Sequence, residues 1–129
     1  MVAAAITDIA GSSAIFDRGF VTYTNDAKIE MLGVKQATLD AHGAVSEQVA
    51  QEMATGAINN ANATIAVSIT GIAGPGGSDH KPEGRVCFAI ARKSHPAHSE
   101  RIEFGAIGRA NVRIKSTEHA LMLLLNASQ

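Results

Sequence analysis

Two serines, a tyrosine and a lysine, Ser12, Ser13, Tyr23 and Lys28, share the stretch GSSAIFDRGFVTYTNDAK from Gly11 to Lys28. A serine hydroxyl is a weak nucleophile until a neighbouring base takes its proton, and a lysine does this only in its neutral form. Unperturbed, a lysine is charged at neutral pH, with a pKa of about 10.4. Such chemistry therefore requires an environment that disfavours the ammonium. Thr24 or Asn25 is suited to cap a helix, because its side-chain oxygen accepts from an otherwise unpaired backbone N–H. With Asn25 as the cap, Lys28 occupies the third helical position. Glutamate or glutamine is favoured there by reciprocal capping, and the positive end of the helix dipole lowers a lysine pKa slightly. That is a poor choice for stability and a useful one for a base. The other reading of the same residues is a solvated lysine beside a core tyrosine.

Two further stretches suit anions. The loop GIAGPGGSDHKPEG, Gly71 to Gly84, follows an apolar β-branched run. It matches neither GxGxxG nor GxxxxGK[ST], yet exposed backbone N–H groups in such a loop cradle anions. An ordinary surface loop is the alternative. Gly108 and Arg109 open the last helical run, where a helix N-terminus and a guanidinium fork both match phosphate oxygens. Other chemistries lack support. His42, His80, His95, His98 and His119 are dispersed and form no HExxH or similar spacing, so no metal site is expected. Asp79, Glu83 and Glu100 make no paired-carboxylate pattern. Tyr23 and Lys28 are five apart, unlike the YxxxK pair of short-chain dehydrogenases, and no dinucleotide fingerprint is present, which argues against a nicotinamide redox enzyme.

These residues must be positioned by a single domain covering 1–129, built with few aromatics. The hydrophobic fraction is 46% and the charged fraction 18%, which is globular rather than disordered. Net charge is −1 with lysine and arginine scattered, so neither nucleic acid nor an anionic membrane is an expected partner. The lone Cys87 lies in an apolar run and reads as a buried thiol. No run reaches transmembrane length and no signal pattern appears, so a cytoplasmic protein is expected. Met1–Ala10 has helical spacing, and Phe20, Val21 and Tyr23 read as a strand. A helix follows to Met31 or Leu32 with Gly33 as terminator, then a helical turn around Leu39. Ser46 caps an amphipathic helix whose stripe is Val49, Ala50, Met53, Ala54, Ala57 and Ile58. Thr64–Thr70, Arg85–Arg92 and Glu100–Phe104 read as strands, and a last helix opens at Gly108–Asn111. Interleaved helices and strands predict an α/β fold with helices on both faces of a sheet. The last two strands, joined by a short turn, are expected to be antiparallel within a mixed sheet.

Taken together, DIAGSSAIFDRGFVTYTNDAK, then LGV, HGAVSEQVAQEMA and SITGIAGPGG with KPEGRV, resemble the CinA C-terminal domain family over nearly the whole chain. The resemblance implies a three-layer α/β/α sandwich with a mixed, mainly parallel five-stranded sheet, similar to anticodon-binding domains. It implies deamidation of nicotinamide mononucleotide to the acid with release of ammonia, without cofactor or metal. Ser13 would be the nucleophile, Lys28 its base, and Tyr23 would complete the hydrogen-bonded set. Ser12, Asn25, Thr70, Gly71, Ala73 and Gly74 would line the substrate pocket, with Arg109 and Arg113 as candidates for the phosphate. Family members carry a further helix, strand and Ala-Glu-Ser-Cys-Thr-Gly-Gly motif ahead of the point where this chain starts. The chain is therefore expected to be truncated, to borrow a strand in a homo-oligomer, or to be a catalytically silent domain that keeps only ligand or partner binding.

Overall fold

The computed structural model describes residues 1–129. Three strands, β1 (Ile65–Gly71), β2 (Arg85–Arg92) and β3 (His98–Glu103), form one sheet in the order β1-β2-β3. Both pairings are antiparallel, with Ser68 opposite Ala89 and Phe88 opposite Glu100. The expected mixed, mainly parallel sheet of five strands is thus corrected to three antiparallel strands. The reason lies in the connections: no helix separates residues 65 and 103, and parallel neighbours need a crossover that usually is a helix.

The central strand alternates between two cores. Cys87, Ala89 and Ala91 pack on Ala50 and Ala54 of α4 (Glu47–Asn59). Val86 and Phe88 face the other way, onto Val112 and Ala120 of α5 (Arg109–Ala127). Helices therefore cover both faces. The small side chains on the α4 side bring that helix close enough for Ser68 Oγ to donate to Ala50 O at 2.6 Å. No helix is long and apolar enough to cross a membrane.

The N-terminal half packs on the outside of this frame. After α1 (Val2–Thr7) the chain makes a 3₁₀ turn at Ser12–Ala14. The expected strand at Phe20–Tyr23 is corrected: this stretch has no ladder partner. Aromatic and β-branched residues favour strands through packing, and here the neighbour is lacking. Val21 and Tyr23 are more than four-fifths exposed, as is Ile15. The segment starts near the beginning of β1, where Arg18 Nη1 donates to Asn60 O at 2.9 Å and Asn62 N donates to Asp17 Oδ2 at 3.1 Å. It ends beside Gly74, just past the end of β1, yet β1 pairs on one side only, with β2.

Helix α2 (Asn25–Leu32) begins at Thr24, whose Oγ1 accepts from Ala27 N at 3.1 Å. Of the two cap candidates Thr24 is therefore the cap, and Lys28 becomes the fourth helical residue. Helix α3 (Gln36–His42) follows, and Ser46 caps α4 by accepting from Val49 N at 3.2 Å. Leu32, Val34, Leu39, Val49 and Met53 form the core between these helices. Gly56 makes the α2–α4 crossing possible, since a Cβ there would lie 1.9 Å from Leu32 O.

Candidate functional site

Lys28 is the one buried lysine, 7% exposed on the inner side of α2. Its Nζ donates to Thr22 O at 2.9 Å and makes no salt bridge with any carboxylate. Burial without a counter-charge disfavours the ammonium, so desolvation holds the Lys28 pKa below its ordinary value. A neutral Nζ that donates to Thr22 O keeps its lone pair for another proton.

A cavity of about 320 Å³ opens beyond the end of β1. It is lined on one side by Gly71, Ala73 and Gly74 of the glycine loop, on another by Ala44 and Val45, and by Arg109. That volume suits a small organic ligand. Arg109 is the first residue of α5 and spans two segments: Nη1 donates to Gly74 O at 2.8 Å and Nη2 to Tyr23 Oη at 3.3 Å. Thr70, 6% exposed, uses its hydroxyl proton on Ala44 O at 2.8 Å.

The structure thus gathers Thr70, Gly71, Ala73, Gly74, Arg109 and Tyr23 around one end of the sheet. It does not gather the whole expected set. Tyr23 is hydrogen-bonded to Arg109, not to Lys28. Ser13 is exposed in the 3₁₀ turn and Ser12 is half-buried beside it, and neither hydroxyl is hydrogen-bonded to Lys28. Asn25 and Arg113 are exposed and do not line the cavity. No three His, Cys, Asp or Glu side chains converge as a metal would require. His119 instead pairs with Glu100 and packs edge-on against Phe88. Sequence reasoning missed Ala44, Val45 and Lys81 as cavity residues. No local signal marks them: Ala44 and Val45 reach the loop only through contacts far apart in the chain, and Lys81, within the loop, finds its acceptors 36 and 39 residues away.

The fold is that of a known family. The model of the CinA C-terminal domain matches residues 1–128, and the chain belongs to that family. A nicotinamide-nucleotide amidohydrolase, PncC, from Escherichia coli (strain K12) is 55% identical over 124 residues, covering 95% of this chain and 74% of that protein. The protein of the same name from Enterobacter agglomerans is 52% identical over 126 residues, covering 97% and 76%. Among solved structures, the competence/damage inducible protein CihA from Agrobacterium tumefaciens superposes with a TM-score of 0.95 at 49% identity. The match covers 99% of this chain and 78% of that one.

Proposed function

We propose that the chain is an amidohydrolase that cleaves the carboxamide of nicotinamide mononucleotide, giving the carboxylic acid and ammonia. The main support is the similarity, over 95% of the chain, to a protein named for that class of reaction. The fold is read as the family's α/β/α sandwich, with the substrate's phosphate directed to Arg109 and its ring to the glycine loop. A small nucleotide is the only partner required, and the open edge of β1 with exposed Ile15 and Val21 is read as surface covered in a homo-oligomer.

In this reading Ser13 Oγ attacks the carboxamide carbon while Lys28 Nζ takes its proton. Lys28 returns that proton to the departing nitrogen, which leaves as ammonia. Water then cleaves the ester, its proton passing through Lys28 to restore Ser13. The balance closes with one water consumed and one ammonia released. The step requires Ser13 Oγ to come within about 3 Å of Lys28 Nζ in the substrate complex. The absence of that hydrogen bond here supports a second reading, a silent domain that binds the nucleotide without cleaving it.

Ser13→Ala separates the two. The first reading expects ammonia release to fall at least about 100-fold with nucleotide affinity kept. Unchanged turnover would move the nucleophile elsewhere, with Ser12 next in line. A parent chain that binds the nucleotide but releases no ammonia would leave the second reading standing.

A further inference from the structure

The connection between α3 and α4 has four consecutive carbonyls, and each accepts a side-chain hydrogen bond. Lys81 Nζ donates to His42 O and to Val45 O, both at 2.6 Å. Ser46 Oγ donates to Gly43 O and Thr70 Oγ1 to Ala44 O, each at 2.8 Å. Two of these four bonds come from one lysine that belongs to the facing glycine loop. Gly43 takes a left-handed φ of 75°, which favours glycine, and a Cβ there would lie 2.8 Å from Nζ. No carboxylate pairs with Lys81, and its side-chain partners are backbone oxygens.

The lysine is itself held firmly. Ser78 N donates to Lys81 O at 3.0 Å and Lys81 N to Ser78 O at 2.8 Å. Between them Asp79 and His80 take left-handed backbone angles, φ 49° and 62°, as a two-residue hairpin turn requires. The loop tip is therefore a small closed hook with an ammonium on its base. Lys81 itself lines the cavity, and its ammonium donates into the wall that carries Ala44 and Val45. Charge-assisted hydrogen bonds to two carbonyls are shorter and stronger than neutral ones.

We propose that Lys81 is a positioning residue for substrate binding: its ammonium latches the glycine loop to the α3–α4 connection and so sets the width of the cavity. This rests on the cavity being the nucleotide site. Lys81 acts through Ala44, Val45 and Gly71–Gly74, its hydrogen bonds being spent on the carbonyls of His42 and Val45. Its loss weakens ground-state binding and leaves the chemical step alone, because Lys28 belongs to a different element.

The test uses Lys81→Ala and Lys81→Met, with amide hydrogen exchange of residues 71–84 and steady-state kinetics on nicotinamide mononucleotide. Lys81→Met keeps the side-chain volume and serves where the alanine variant fails to fold. Faster exchange across the loop is expected, with KM raised roughly tenfold and kcat within about threefold of the parent. Propylammonium replaces the deleted side chain in Lys81→Ala and is expected to return KM towards the parent value, with no effect on the parent. Lys81→Arg is expected not to rescue, since a planar guanidinium fork does not fit a slot built for a point charge. Unchanged loop exchange in both variants overturns the latch. So does a KM within about twofold of the parent, a loss confined to kcat, or a folded alanine variant indifferent to the amine. If the parent chain does not turn over the nucleotide, the proposed function fails and loop exchange alone decides on the latch.

Discussion

The glycine loop and the segment Phe16–Tyr23 both meet Arg109, yet their backbones are held in different ways. The loop is fixed by partners from distant elements: Lys81 and, at the end of β1, Thr70 donate into the α3–α4 connection, and at the loop's base Gly84 N donates to Ile72 O while Ile72 N donates to Arg85 O. The segment has the composition of a strand but lies unpaired, with Val21 and Tyr23 exposed and the edge of β1 open. A glycine-rich stretch is thus the more determined of the two, and a β-branched, aromatic stretch the less. Partners decide which backbone is fixed, and residue propensity does not.

The largest effect outside the lysines is expected where both regions meet. Arg109→Ala removes the contacts to Gly74 and Tyr23 together. If the guanidinium also holds phosphate, the nucleotide is weakened by about 1.5–3 kcal/mol, while nicotinamide riboside, which lacks the phosphate, is weakened much less. Titration of both ligands measures the difference. Equal weakening would confine Arg109 to joining the two segments.

A pair of substitutions sharpens the contrast at smaller magnitude. Thr70→Val leaves Ala44 O without its donor and is expected to cost about 1–3 kcal/mol of stability. Val21→Ser acts at a side chain 84% exposed and is expected to change stability by no more than about 0.5 kcal/mol. Denaturant midpoints of both variants at constant slope give the comparison. Equal losses would mean that Val21 is covered in solution, as in a homo-oligomer.

What could be read from the sequence follows the same division. The helix capped by Ser46, the three strand runs and the last helix were legible, because their periodicity reports a face buried along the element itself. The helix cap at Thr24 and the stop at Gly33 are local as well. The Phe20–Tyr23 stretch misled, since nothing in it says whether a neighbouring strand is present. The mainly parallel sheet, implied by the family resemblance, is not found either, since no helix falls between β1 and β3 to carry a parallel crossover. At the site, Lys28 was legible as a residue misplaced for helix stability, but its burial and its carbonyl partner were not. Lys81 was silent, since its acceptors lie 36 and 39 residues away.

Lys28 carries the central claim, that a buried lysine whose pKa is lowered by desolvation is the base of the proposed amide hydrolysis. Its pKa is lowered by burial, so the folded state gives up this proton at lower pH than the unfolded chain does. Between the lowered value and about 10.4 the unfolded state binds more protons, and stability rises with pH through that window. Below the window the burial cost is present in full. Lys28→Met removes it, so at about pH 7 the variant is expected to be as stable as the parent or more so. The parent should then gain on the variant as pH climbs through the window. Ammonia release from nicotinamide mononucleotide should fall by about 100-fold or more. The decisive measurement is ammonia release and denaturant midpoint for both proteins from about pH 6 to about pH 10. Lost turnover with stability kept or raised at neutral pH is the result expected. Retained turnover with clear destabilisation at neutral pH would contradict the account and make Lys28 a structural residue.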